Sequence, residues 1–158
     1  MGANRTELAS AQLVHRAFRP TWGDAAVDRV RCVLRCRQKF LLAEHPSRRR
    51  GKAFKWGLPG GRLRANEKPG AGLRRELFEE LRLRAPSPLD LGDWWYRGEN
   101  YRVFGASLPR FVEWFHVQEI RSIAWLSYAQ VVELADEGLL HKGFELEAIT
   151  EYQRRFRS

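Results

Sequence analysis

Apolar positions at Leu8, Ala11, Val14 or His15, and Phe18 follow helical spacing, which predicts a short amphipathic helix over Thr6–Phe18, ended by Pro20. Alternation takes over from Val30 to Leu34, where arginines separate the apolar residues. That predicts a strand with one solvated face, a turn near Arg37 to Lys39, and a second strand through "KFLLAEH". Pro46 to Gly61 is a basic loop that feeds into a glycine turn. The helical period returns over Pro69 to Leu81, with Pro69 suited to a first turn. "WWY" and "YRVFGA" read as strands flanking a turn at Gly98 to Asn100, and "RFVEWFHVQEI" reads as another long strand. Trp125 and Leu126 close a short one. Ser127 to Gly138 is an amphipathic helix with Ser127 as its N-cap and Gly138 at its end. A last helix spans Phe144 to Phe156. There is no repeat, low-complexity segment or linker, so residues 1–158 read as one domain of strands interrupted by helices, with 1–26 a partly helical extension.

Composition narrows the class. Hydrophobic residues make up 44% and aromatics 12%, enough for a folded core. The formal charge of +9 and pI near 10.2 suit anionic partners such as nucleotides, RNA or polyphosphates, although solubility alone accounts for them equally well. No apolar run reaches the roughly eighteen residues of a membrane span, and the N-terminus lacks the apolar core of a signal peptide. A cytoplasmic protein without membrane contact is expected. Cys32 and Cys36 share one face of a strand, too far apart for a bridge and without zinc-ligand company, so both are expected as reduced, buried thiols. His15, His45, His116 and His141 show no grouping that suggests a catalytic histidine.

The stretch "LRRELFEEL", Leu73 to Leu81, concentrates negative charge in a basic chain. On a helix Glu76, Glu79 and Glu80 share one face, and Leu73, Leu77 and Leu81 form an adjoining stripe. Clustered carboxylates raise one another's pKa values and cost stability unless a cation intervenes, and Mg²⁺ or Mn²⁺ favours such oxygens. An acidic solvated face is the alternative. The flanking residues add to this. From Gly61 there follow five residues, Glu67, seven residues, then Arg75-Glu76-Leu77, Phe78, Glu79-Glu80 and Leu81, Arg82, Leu83. This closely resembles the Nudix box of the Nudix hydrolases, as does the preceding "WGLPGG". One fixed position departs: the family's glycine is Arg82 here.

The resemblance implies an α/β fold, the α/β/α sandwich of the family, with a mixed sheet and the catalytic helix after a glycine-rich loop. It implies hydrolysis of a nucleoside diphosphate linked to another moiety, by water attack on phosphorus, with Mg²⁺ or Mn²⁺ as cofactor. By the same resemblance Glu76, Glu79 and Glu80 bind metal, with Glu79 and Glu80 the direct ligands and Glu76 binding a metal or deprotonating water. The Gly60 carbonyl is a further ligand. Arg75 orients the glutamates, Glu67 supports Arg75, and Gly61 supports the loop. Arg82 either ends the helix in a left-handed conformation or lets it run on towards Pro86, and in neither case removes a ligand. Glu119 is the best candidate for a further catalytic glutamate, with Glu99 and Glu113 as rivals. Trp95, Tyr101, Arg50 and Lys52 are candidate substrate contacts, Tyr101 through its likeness to the tyrosine of diadenosine polyphosphate and RNA 5′-end hydrolases. Partners are a small nucleotide, with an RNA 5′ end and a homodimer left open. The alternative is a non-catalytic Nudix-fold protein that binds nucleotide or RNA. The isomerase branch is disfavoured, since neither cysteine has an evident catalytic partner.

Overall fold

The structure is a computed structural model that describes residues 14–17, 27–45, 54–85 and 87–156. β2 (Arg29–Cys36) and β3 (Lys39–His45) form a hairpin, with Arg37 at φ 56° in its tight turn. They pair only at Arg35–Phe40 and Cys36–Lys39, then part. β5 (Gly60–Arg62) pairs with β2 and β4 (Lys55–Gly57) with β3, between the parted strands. On its other edge β2 runs parallel to β7 (Glu99–Ser107), and β3 pairs with β8 (Ser122–Ser127). β6 (Leu89–Tyr96) continues the sheet beyond β7, and β1 (Val14–Ala17) lies at its edge.

Side chains on this mixed sheet alternate between two cores, as the period of two requires. Val30, Cys32, Leu34, Leu41, Ala43 and Phe104 pack beneath α1 (Pro69–Leu81), which contributes Leu73, Leu77 and Leu81. On the opposite face Val33, Phe40, Leu42, Tyr101 and Val103 meet Val131 of α2 (Tyr128–Asp136) and Ala148, Ile149 and Tyr152 of α3 (Glu145–Phe156). The result is the expected α/β/α sandwich. α2 opens with a capping box: Gln130 N–H donates to Ser127 Oγ at 3.2 Å, and Ser127 N–H donates to Gln130 Oε1 at 2.9 Å. Gly138, at φ 70°, follows its end. Both cysteines are free and buried, and burial pushes the Cys32 thiol up.

Three expectations are corrected. Val14–Ala17 is a strand, not part of a helix, because the open edge of β6 offers backbone partners from Asp93 to Tyr96. The remainder of the expected helix lies outside the described residues. Residues 110–120 form an irregular segment and turn instead of a long strand. Their apolar side chains do not alternate between faces: Phe111, Val112 and Phe115 pack at the α1 core while Trp114 and Val117 are exposed. Finally, the arginine face of β2 is not solvated. α3 packs on it, and Arg31 is only 6% exposed.

Candidate active site

The site is built where the loop from β4 enters β5. Cys32 N–H donates to the Pro59 carbonyl at 2.9 Å, drawing the loop against β2. Gly60 adopts φ 140°, and a Cβ there would overlap the Val30 backbone, so the position requires glycine. At Gly61 an added Cβ would come within 2.6–2.7 Å of the Glu76 carboxyl group. The missing side chain is therefore the notch in which Glu76 rests.

Beneath the loop, α1 presents its carboxylates unequally. The leucine stripe turns Glu80 inwards, where it is 4% exposed and accepts a 3.4 Å contact from Gly60 N–H. Burial lifts its carboxyl from 4.5 to about 8; Glu76 and Glu119 push the same way, while Arg31 and the Gly60 N–H oppose them. Arg75 donates to both Glu67 oxygens at 2.9 Å, to Glu76 Oε1 at 2.9 Å, to Glu79 Oε2 at 3.3 Å and to the Arg62 carbonyl at 3.1 Å. The hydrogen bond from Arg75 is the main reason the Glu67 carboxyl is held near 2.

The three glutamates thus do not point to one centre as they stand. Among the described residues no three His, Cys, Asp or Glu side chains are grouped to hold a metal ion. Arg75 takes up part of the repulsion that the sequence pattern assigns to a cation. Glu76 and Glu80 meet at the glycine loop, whereas Glu79 lies further out, between Arg75 and Arg64, the latter at 3.5 Å. The donor set nevertheless fits a hard divalent cation in kind: oxygens only, a notch over Gly61, and in Glu80 a buried carboxylate with no ion-pair partner among the described residues. Glu76, Glu80 and the Gly60 carbonyl could hold it, joined by Glu79 once its half-exposed side chain leaves Arg75.

Arg82 ends α1 at φ 53°, ψ 31°, so the left-handed alternative is the one realised. Its N–H reaches the Phe78 carbonyl at 3.0 Å, and its guanidinium lies 5.3 Å from the Phe78 ring and 5.2 Å from the Trp114 ring. Two effects oppose each other here. The left-handed backbone costs a non-glycine residue about 1–2 kcal/mol, and each exposed cation–π contact returns about 0.5–1 kcal/mol. Arg82→Gly should therefore change unfolding free energy by less than about 1 kcal/mol, read by urea denaturation. A change above about 2 kcal/mol in either direction would contradict this balance.

The segment over residues 110–120 docks on the end of α1: His116 N–H donates to the Glu80 carbonyl at 2.8 Å, and Trp125 Nε1 donates to the Val112 carbonyl at 2.8 Å. Its turn, closed by Glu119 N–H on the His116 carbonyl at 3.1 Å, carries an exposed Glu119 within electrostatic range of Glu80. Glu113 is exposed, and Glu99 is paired with Arg29 and Arg62. Tyr101 is buried, and Trp95 lies on the other face of the sheet from it, so the two do not meet. Arg50 and Lys52 lie outside the described residues. Two of the histidines meet in the fold: His45 and His141 stack with ring centroids 5.1 Å apart. Nothing in their spacing announces it, because the contact depends on the parallel bridge between Trp56 and Leu140.

A sequence profile described as the NUDIX domain matches residues 26–144. This chain belongs to the NUDIX family. Among solved structures it is similar to a NUDIX hydrolase from Nitrosomonas europaea, with 24% identity and a TM-score of 0.61 over 81% of this chain and 89% of that one. The NUDIX domain of Shewanella oneidensis NrtR, solved with ADP ribose, shares 18% identity and a TM-score of 0.66 over 98% and 99% of the two chains. A Bacillus subtilis pyrophosphohydrolase shares 17% identity and a TM-score of 0.62 over 90% of each chain. These likenesses establish the fold. No curated protein sequence matches significantly. Among the described residues no helix is long and apolar enough to cross a membrane.

Proposed function

We propose that this chain is a divalent-metal-dependent pyrophosphohydrolase that cleaves a nucleoside diphosphate linked to another moiety. The observation that carries this reading is the seating of Glu76 in the Gly61 notch beside the buried Glu80. A Mg²⁺ or Mn²⁺ ion held there supplies charge neutralisation for the phosphate oxygens and a more acidic bound water. Glu80, anchored under the loop, and the Gly60 carbonyl provide fixed ligands, and Glu79 a mobile one. Glu76, resting in the Gly61 notch beside Glu80, would accept the proton of the attacking water. Arg75 sets the direction of Glu76, and Glu67 holds Arg75 by its two-pronged contact. Glu119, carried over Glu80 by the docked segment, is the candidate for a further carboxylate from outside the helix. The basic surface favours an anionic substrate, and the ADP ribose bound by the NrtR domain is of the proposed kind.

The test is product release from a panel of ADP-ribose, diadenosine polyphosphates, nucleoside triphosphates, nucleotide sugars and 5′-triphosphorylated RNA, with Mg²⁺ or Mn²⁺. Turnover of at least one member, lost in both Glu79→Gln and Glu80→Gln, is the expected result. Nucleotide binding without turnover of any member would instead make the protein a binding module.

A further inference from the structure

The face of β2 beneath α3 holds cations with no ion-pair partner among the described residues, with Glu80 and Glu145 within electrostatic range of Arg31. Arg31, 6% exposed, forms no ion pair among the described residues, and its hydrogen bond is a 3.5 Å contact to the carbonyl of its neighbour Val30. Its guanidinium lies 5.6 Å from the centre of the Tyr101 ring. The Lys142 ammonium approaches the same ring at 5.9 Å and Tyr96 at 5.1 Å. Alongside, His45 stacks on His141, and its Nε2 is buried without a hydrogen-bond partner among the described residues.

The carboxylates around this group make their hydrogen bonds elsewhere. Glu145 accepts from the backbone N–H groups of Lys142 and Gly143 at 2.6–3.2 Å. Glu99 pairs with Arg29 and Arg62, and Glu80 accepts from Gly60 N–H. A buried guanidinium without a partner is costly, and a second cation on the same ring adds repulsion. Burial, reinforced by Arg31, brings the Lys142 ammonium down to about 8. A bound anion resolves all of this. It would also lie next to the glutamate site, since Arg31 pairs with Gly60 across β2 and β5. Yet the Arg31 side chain leaves the opposite face of β2 from Cys32, which packs under α1.

We propose that Arg31 and Lys142, framed by Tyr96 and Tyr101, form a phosphate subsite for a phosphoryl group beyond the diphosphate that the glutamates engage. The preferred substrates are then nucleoside polyphosphates, over diphosphates capped by a neutral sugar. This substrate preference rests on the hydrolase reading; anion binding at the subsite does not.

The experiment has two arms. In EDTA, inorganic triphosphate is titrated calorimetrically into the wild type, Lys142→Gln, Arg31→Met and Glu80→Gln. Saturable binding is expected in the wild type and in Glu80→Gln, and at least about tenfold weaker binding in the other two. Arg31→Met should also melt higher by about 3 °C or more, because it removes an unpaired buried charge. A purely structural arginine would give a lower melting temperature. With Mg²⁺, Lys142→Gln should reduce kcat/KM about tenfold for nucleoside triphosphates and leave that for ADP-ribose unchanged. Absence of triphosphate binding by the wild type, or equal binding by Lys142→Gln, would overturn the subsite. An equal loss on both substrates would overturn its assignment to an extra phosphate. Should Arg31→Met fail to fold, Lys142→Gln decides alone. A wild type that binds triphosphate but turns over nothing would refute the hydrolase reading and leave the anion site standing.

Discussion

Replacing Glu80 by glutamine is expected to lower turnover by a factor on the order of 10³ or more and, at the same time, to stabilise the metal-free protein above pH 8. Both effects have one cause. Glu80 is buried against Gly60, and its carboxyl is raised from 4.5 to about 8 chiefly by that burial. Below pH 4.5 the group is protonated in both folded and unfolded chains and contributes no pH dependence. Between 4.5 and 8 the unfolded chain releases the proton and the folded one keeps it, so stability falls as pH rises. Above 8 the full penalty is present. Glutamine keeps an acceptor for Gly60 N–H and never ionises, which removes that slope. Thermal melts in EDTA at pH 5 and pH 8.5 read the effect: the variant should gain on the wild type only at the higher pH. Mg²⁺ should stabilise the wild type more at pH 8.5 than at pH 5, because binding needs the ionised carboxylate. Equal melting of variant and wild type at both pH values would remove this account of Glu80.

Arg75→Met is expected to destabilise the fold by about 3 kcal/mol at pH 7, since it strips three clustered carboxylates of their shared cation. Turnover should fall about 10²-fold, because Glu76 loses the group that aims it. The pH dependence separates this from a packing defect. Glu67 is depressed to about 2, mainly by its hydrogen bond to Arg75. Its contribution is present above the ordinary carboxylate value of 4.5 and is lost as pH falls towards 2. The wild type should therefore lose stability over that interval more steeply than Arg75→Met, and the two curves should converge in acid. Parallel curves from pH 7 to pH 2.5 would show that the clamp contributes nothing through Glu67.

The helix of the site was the most legible element, because its signals are local. Leu73, Leu77 and Leu81 mark the buried stripe and Pro69 the start, each within one or two turns of chain, while the end was open between Arg82 and the region before Pro86. The glycine loop was legible through its spacing from that helix. What escaped depends on distant partners. Val14–Ala17 carries a helical spacing that the open edge of β6 overrides. Residues 110–120 are rich in apolar and aromatic side chains, as a buried strand would be. Their backbone is nevertheless held by single contacts to the end of α1 rather than by a ladder. Arg31 looked solvent-facing because alternation distinguishes the two faces of a strand but does not say what covers each one. Its burial comes with the packing of α3 on β2, elements far apart in the chain. The resemblance has Arg75 orient the glutamates with Glu67 as its partner; side-chain geometry adds that Arg75 is also a counter-charge to Glu76 and Glu79.

Mn²⁺ titration followed by electron paramagnetic resonance reads the glutamate site without any substrate. The wild type should bind Mn²⁺ saturably, with affinity rising as pH passes through about 8, where Glu80 ionises. Glu80→Gln should weaken binding at least about tenfold, and Gly61→Ala should do the same by pushing Glu76 out of its notch. Binding of Mn²⁺ with equal affinity by the wild type and both variants would place the ion elsewhere and contradict the assignment of this site.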